Sequence, residues 1–255
     1  MSLPRIFHPG PASGETTVRV EGETVHYLKS VLRVRPGREI GLFDGRGGEW
    51  RAVVEAYGPG EASLRILKKE DPVPSPGGIT LAQSLPKTDK MDFIVRKATE
   101  LGAARILPFL SSRSIPRPDA GKRENRLARW RRIAVEAARQ CGRSVVPEVG
   151  EILSYEEMLG ARGAEDLGIV LWEEERERSL KTLLRGGRVE GRTRFFVVVG
   201  PEGGFSADEI DRAAAAGFVP VTLGPNILRT ETAPLAVLSI LQYEMDFFSE
   251  RTTHE

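Results

Sequence analysis

The stretch FFVVVGPEGGFSADEIDRAAAAGFVPVTLGPNILRTETAPL, residues 195–235, contains two apolar runs, Phe195–Val199 and Phe218–Leu223. Short apolar runs rich in valine and phenylalanine, bounded by glycine and proline, read as buried β-strands. Each run ends in a Gly-Pro loop, and each loop leads into a helical pattern. The first loop is Gly200-Pro201-Glu202-Gly203-Gly204; the second runs from Gly224 to Thr232. In an α/β sheet, ligands sit at loops that follow the carboxyl ends of strands. Two such loops in tandem are the strongest functional signal in the chain.

Gly200, Gly203 and Gly204 expose main-chain N–H and C=O groups and let a backbone approach a ligand closely. Ser206 and Glu209 have the spacing of a capping box, which would satisfy the following helix internally and take up N–H groups an anion would need. The loop is neither GxGxxG nor a Walker loop, so no dinucleotide or P-loop fingerprint fits, and a tight strand-to-helix turn remains the alternative. The second loop adds main-chain groups, two threonine hydroxyls, Arg229 and Glu231 between the apolar Ile227 and Leu228. Apolar walls with a few fixed polar groups describe a small-molecule pocket, one able to hold an adenine through main-chain hydrogen bonds. Arg229 and Glu231 read equally well as a surface ion pair.

The rest of the chain frames these loops. At 255 residues it suits one large or two smaller domains. The apolar fraction, 40%, is enough for a packed core, and no apolar run is long enough for a membrane span. The opening MSLPRIFHPG has no signal-peptide pattern, and a single cysteine, Cys141, excludes an internal disulfide. With three histidines and no HExxH, no metal is expected; together these features predict a cytoplasmic protein. Net charge is only +1, but Arg113 to Arg143 holds ten Lys/Arg against three acids. Such a cluster can neutralise nucleic-acid phosphates, or be a solvated helix face.

Residues 1–72 read as a small β-barrel domain. Thr24 is expected to cap a short helix with Val25, Leu28, Val31 and Leu32 on one face, followed by strands at Glu39–Phe43, Trp50–Tyr57 and Ala62–Leu67. The proline-rich Asp71–Gly78 marks the boundary. Residues 73–255 then alternate strand and helix, implying a mainly parallel sheet covered by helices. Expected strands are Ile79–Gln83, Arg105–Leu110 and Gly168–Trp172. Expected helices include one capped by Asp89 and stopped by Gly102, a long basic one from about Glu124 to Cys141, and Tyr155–Leu159 and Ser179–Leu184. The Glu173–Glu175 run reads as solvated and Gly186-Gly187 as a break. Thr232 is expected to cap a last helix, with Leu235, Leu238, Leu241 and Tyr243 on its apolar faces.

GPEGGF followed by LGPNILRTETAPLAVL resembles the RsmE family of SPOUT-class RNA methyltransferases. The resemblance extends to His26–Arg33, to Gln83–Lys87 with Lys97–Gly102, and to WRRIAVEAARQ at Trp130–Gln140, in family order. It implies transfer of a methyl group from S-adenosylmethionine to N3 of one uridine (U1498) in 16S rRNA of the small ribosomal subunit. It also implies an N-terminal PUA-like β-barrel implicated in RNA binding, a C-terminal α/β domain with a deep trefoil knot, and a homodimer. Carried onto matching positions, the cofactor would lie on Leu171, Gly200, Glu202, Gly203, Leu223, Gly224, Ile227, Leu228, Thr230, Thr232 and Ala233. Arg229 would stabilise the developing uracil anion. Glu202 and Glu231 are candidates for the general base, or for orienting the loops. RNA would meet Arg33, Arg113, Arg123, Arg126, Arg129, Arg132 and Arg139. A non-catalytic RNA-binding assembly factor would share the barrel and basic helix; a small-molecule enzyme would share the loops.

Overall fold

The computed structural model describes residues 3–11, 14–70, 78–87, 89–186 and 193–245. It divides into two units, one of Met1–Ser75 with Val135–Val146, the other of Pro76–Ala134 with Pro147–Glu255. Most of the proline-rich stretch, and Gly187, lie outside the described residues.

The first unit is built on five strands: β1 (Arg5–Phe7), β2 (Thr17–Glu21), β3 (Glu39–Phe43), β4 (Glu49–Tyr57) and β5 (Glu61–Glu70). They form one sheet in the order β1-β3-β4-β5-β2, with β1 parallel to β3 and the other pairs antiparallel. In β2 the valines of TVRVE point inward and the polar residues outward, the period-2 pattern of a half-buried strand. Val18, Val20, Ile40, Leu42, Val54 and Leu64 share one core with Leu28. Register shifts in β4, at Arg51/Ala52 and Val54/Ala56, are bulges that bend the sheet. The expected barrel is therefore a curled sheet with β1 and β2 at its edges. Asp44 Oδ1 accepts from Arg46 N (2.7 Å) and Gly48 N (2.9 Å), holding the tight β3–β4 turn.

One expectation fails here. The cap of α1 (Glu23–His26) is Gly22 at φ 62°, not Thr24, which lies inside the helix. The helix continues as a π-helical turn, Tyr27–Val31, in which Leu32 N donates to Tyr27 O. The extra residue in that turn rotates the face, so Leu28 is buried while Val31 is 60% exposed.

The second unit holds β6 (Gly78–Ser84), β7 (Arg105–Leu110), β8 (Glu148–Val149), β9 (Leu153–Ser154), β10 (Leu167–Leu171), β11 (Arg194–Val199) and β12 (Phe218–Val221). The sheet order is β12-β10-β11-β6-β7-β8, with β9 beside β7, and every pairing is parallel. LGIVL in β10 is buried throughout, as are residues 195–199 of β11, because helices cover both faces of a parallel sheet. The crossovers are α2 (Lys90–Glu100), α3 (Ala120–Cys141, whose residues from Val135 on fall in the first unit), α4 (Tyr155–Gly160), α5 (Leu180–Arg185) and α6 (Ala207–Ala215); α7 (Ala233–Glu244) follows the last strand.

Helix ends show where local signals suffice. The Ser206–Glu209 capping box of α6 forms as its spacing predicts. Asp89 and Thr232 occupy N-cap positions, but neither side chain makes a capping bond. The basic helix starts at Ala120, four residues ahead of expectation, because Asp119 Oδ1 accepts from Lys122 N at 2.9 Å. β12 stops at Val221, so Thr222 and Leu223 belong to the following loop. Tyr243 is 72% exposed rather than core-facing. Among the described residues no helix is long and apolar enough to cross a membrane.

Candidate active site

β10, β11 and β12 are neighbours and parallel, so the loops after them emerge at one end of the sheet. They surround a cavity of about 370 Å³, within the range of small-molecule sites. Its wall comes from Leu171–Glu173 and Arg176 at and after the end of β10, Val199–Glu202 and Gly204 at and after the end of β11, and Val221–Thr230 at and after the end of β12, with Lys90 and Ala233.

A buried polar network ties these loops to the sheet. Gln83, at the end of β6, donates through Nε2 to Thr230 Oγ1 (3.1 Å) and more distantly to Gly200 O (3.4 Å). Thr230 Oγ1 in turn donates to Gly200 O at 2.7 Å. One hydroxyl thus locks the two Gly-Pro loops together. Beside it, the Ser84, Ser111 and Ser114 hydroxyls lie within 2.8–3.1 Å of one another and join the ends of β6 and β7.

The first loop is braced on its far side. Glu209 is buried and accepts from Ser206 N (3.0 Å) and Oγ (3.2 Å), as the capping box requires. It also accepts from Ser112 N (2.7 Å) and Oγ (2.9 Å), groups from the loop after β7. Burial alone would raise its pKa; the four hydrogen bonds outweigh that and hold it below the usual carboxylate range. The neighbouring Arg113 donates to Gly203 O at 2.8 Å.

Lys90, at the start of α2, lies 2.9 Å from Glu202 and 3.0 Å from Glu231. The ammonium therefore bridges the two loops. Partial burial opposes ionisation of the carboxylates, but Lys90 prevails and keeps both below their ordinary range. Their hydrogen bonds raise the lysine in return. Arg229 lines the cavity and is exposed; its main-chain carbonyl accepts from Thr232 N (2.8 Å) and Ala233 N (3.0 Å), but its side chain makes no hydrogen bond or close ion pair among the described residues. Its charge acts on Glu231 only at a distance, so the proposed Arg229–Glu231 surface pair gives way to Lys90–Glu231.

Of the sequence-predicted set, Leu171, Gly200, Glu202, Leu223, Gly224, Ile227, Leu228, Thr230 and Ala233 line the cavity with Arg229. Gly203, Thr232 and Glu231 do not; they lie beside it, on Arg113, at the α7 cap position and on Lys90 respectively. Ile227 is 80% exposed and stands at the rim rather than in a wall. Lys90, Trp172, Glu173 and Arg176 line the cavity without having been singled out as site residues. Glu173 is half-buried there, which corrects its reading as solvated. No periodicity places Lys90 or the 172–176 loop near the Gly-Pro loops; only the strand order does.

The candidate RNA arginines are less uniform than their number suggests. Arg129 pairs with Asp92, which also accepts from Trp130 Nε1. Arg139 stacks 4.0 Å over the Tyr27 ring, a cation–π contact within the first unit. Arg123 donates to Pro118 O, Arg126 is half-buried, and Arg132 is exposed. Arg33 is exposed in a left-handed conformation, φ 51°, rare for a side-chain-bearing residue.

Comparison with known proteins agrees with this geometry. Residues 73–242 match the family model of an RNA methyltransferase domain, and residues 20–67 that of an RNA methyltransferase PUA domain. The ribosomal RNA small subunit methyltransferase E of Bacillus subtilis is 33% identical, covering 90% of this chain and 91% of that one. The chain belongs to the ribosomal RNA small subunit methyltransferase E family. The methyltransferase E of Synechocystis is 35% identical over 88% of this chain and 72% of its own. A crystal structure of methyltransferase E from Neisseria gonorrhoeae bound to S-adenosylmethionine superposes with a TM-score of 0.85 at 37% identity, covering 95% of this chain and 98% of that one. The PUA match lies within Met1–Ser75 of the first unit, and the RNA methyltransferase match spans most of the second unit together with Val135–Val146 of the first.

Proposed function

We propose that this protein transfers the methyl group of S-adenosylmethionine to N3 of a uridine in 16S ribosomal RNA. The observation that carries the reading is the cavity enclosed by the three loops, in a chain that aligns along nearly its full length with a methyltransferase E crystallised with this donor.

The residues present suit the donor. A Cβ on Gly200 would come within 3.1 Å of the Phe205 ring, and one on Gly204 would overlap the Glu173 carboxylate. These two glycines pack the first loop closely against its neighbours, while Gly224 in the second, at φ +133°, has open space where a Cβ would stand and leaves main chain bare at the cavity. Main chain of residues 200–204 and 223–230, with Leu171, Leu228 and Ala233, would hold the adenosine. When bound, the donor supplies a methyl group already activated on a sulfonium. What the protein must add is alignment and management of the uracil N3 proton.

Uracil N3 is a poor nucleophile while protonated. Arg229, exposed at the cavity with no close anionic partner, is positioned to stabilise the anion through a carbonyl oxygen of the base. The ion pairs to Lys90 support a bracing role for Glu202 and Glu231, since a carboxylate kept ionised by an ammonium is a weak proton acceptor. The N3 proton then leaves to water.

The first domain (1–72) and the exposed arginines of α3 would grip RNA phosphates, and 73–255 would carry catalysis. The position of β10 between β11 and β12 supports a trefoil knot through the two Gly-Pro loops. Phe93, Ile240 and Tyr243, exposed on the packed pair α2 and α7, support a homodimer. A cytoplasmic location follows from the ribosomal substrate.

Tritium transfer to deproteinised 16S RNA and to small ribosomal subunits tests the activity. Single-turnover transfer by Arg229→Ala, with donor affinity measured separately, tests the mechanism. The chemical step should slow on the order of a hundredfold or more, as when one stabilising donor is removed from an anion site. Unchanged chemistry would remove Arg229 from the mechanism, and absence of RNA-dependent transfer by wild type would leave an RNA-binding assembly factor.

A further inference from the structure

Five ionisable side chains line the cavity: Lys90, Glu173, Arg176, Glu202 and Arg229. Lys90 and Glu202 neutralise each other, and Arg229 is assigned to the uracil. Glu173 and Arg176 are left, of opposite charge, on the loop after β10. Among the described residues neither side chain makes a hydrogen bond or ion pair. A half-buried carboxylate without a partner is costly unless a ligand supplies one.

This loop has a defined shape. Trp172 N donates to Val221 O (3.0 Å), Thr222 N to Arg178 O (2.9 Å), and Leu180 N to Thr222 O (2.9 Å), lacing it to the end of β12. Glu175 Oε1 accepts from Glu177 N (2.7 Å) and Arg178 N (3.1 Å), closing the turn from within. Glu173 is pressed onto the main chain of Gly204, where any side chain would collide with its carboxylate. The carboxylate thus packs on the first Gly-Pro loop, and Arg176 lines the same cavity.

We propose that Glu173 and Arg176 form a clamp for the amino-acid end of the methyl donor. Glu173 accepts from the α-ammonium and Arg176 donates to the α-carboxylate. The proposal rests on the methyl-donor reading above and goes beyond it by assigning a zwitterion subsite. Matched charge-assisted hydrogen bonds suit such a group, and the planar guanidinium fits a carboxylate.

Calorimetry on the full chain with three probes tests it: S-adenosylmethionine, S-adenosylhomocysteine and methylthioadenosine, which lacks the amino-acid end. Glu173→Gln and Arg176→Gln should each weaken the first two on the order of tenfold, the loss expected of one charge-assisted hydrogen bond. Methylthioadenosine should bind both variants as it binds wild type, which also shows that they are folded. Equal weakening of all three probes would mark a packing role and overturn the clamp, as would no change in any. Loss confined to S-adenosylmethionine would mean that the carboxylate reads the sulfonium, and would also overturn it. Wild-type protein that binds none of the three would sink the methyl-donor reading itself, and the clamp with it.

Discussion

Glu209→Ala is the substitution whose cost follows most directly from the structure. The carboxylate is 1% exposed and accepts from two backbone N–H groups, Ser112 N at 2.7 Å and Ser206 N at 3.0 Å, and from both serine hydroxyls. Hydrogen bonds to a charged acceptor contribute about 1.5–3 kcal/mol each. The hydroxyls can turn to water, since Ser112 is exposed and Ser206 half-buried, but the two N–H groups lose their acceptor. The expected loss is therefore about 3–6 kcal/mol, more than the ~1 kcal/mol typical of a lost helix cap alone. Glu209→Gln should cost roughly half as much, because the amide oxygen still accepts one bond while its NH2 faces the remaining donors. Urea unfolding of the full chain, in a Trp50→Phe background, reads Trp130 and Trp172, both in the second unit. The pH dependence has a definite sign. A folded pKa below the unfolded one gives stability that is present above the ordinary carboxylate range and lost as pH falls through the depressed value. Glu209→Ala should flatten that acid limb. A variant within about 0.5 kcal/mol of wild type at neutral pH, the scatter of ordinary surface substitutions, would refute the reasoning.

Other perturbations probe the site more closely. Gly204→Ala meets two penalties, φ +66° and overlap with Glu173. It should weaken donor binding, and adding Glu173→Ala should recover stability except for the roughly 1–2 kcal/mol backbone cost; strictly additive effects in urea unfolding would deny the contact. Lys90→Met should cost about 1–2 kcal/mol, because both ion pairs are partly solvated. The pair's contribution should be complete between the carboxylate and lysine ranges. It should fall away in acid as Glu202 and Glu231 protonate, and in alkali as the raised Lys90 loses its proton. A wild-type pH–stability profile in the variant would remove Lys90 as the brace. Arg129→Glu with Arg132→Glu should weaken RNA binding and flatten its salt dependence, whereas an unchanged slope would make that face ordinary surface.

Much of the molecule is legible in the sequence because the signals are local. Buried parallel strands read as unbroken apolar runs, and the Ser206–Glu209 capping box needs only four residues of chain. The alternation of strand and helix gives a parallel sheet, and the Gly-Pro loops mark its carboxyl end. Where local rules fail, a single extra residue or a nearby side chain is responsible. The π-turn at Tyr27–Val31 rotates Val31 outward, and Asp119 starts the basic helix early. The tertiary structure alone decides which loops share a wall. The order β12-β10-β11 brings the acidic loop after β10 against the glycines after β11, and sets Lys90 between two glutamates far away in the chain. It likewise couples Glu209 to Ser112 as well as to its own cap. Hydrophobic period and turn chemistry act over a few residues and so can be read from sequence. The charge of a site depends on which distant loops the strand order brings together.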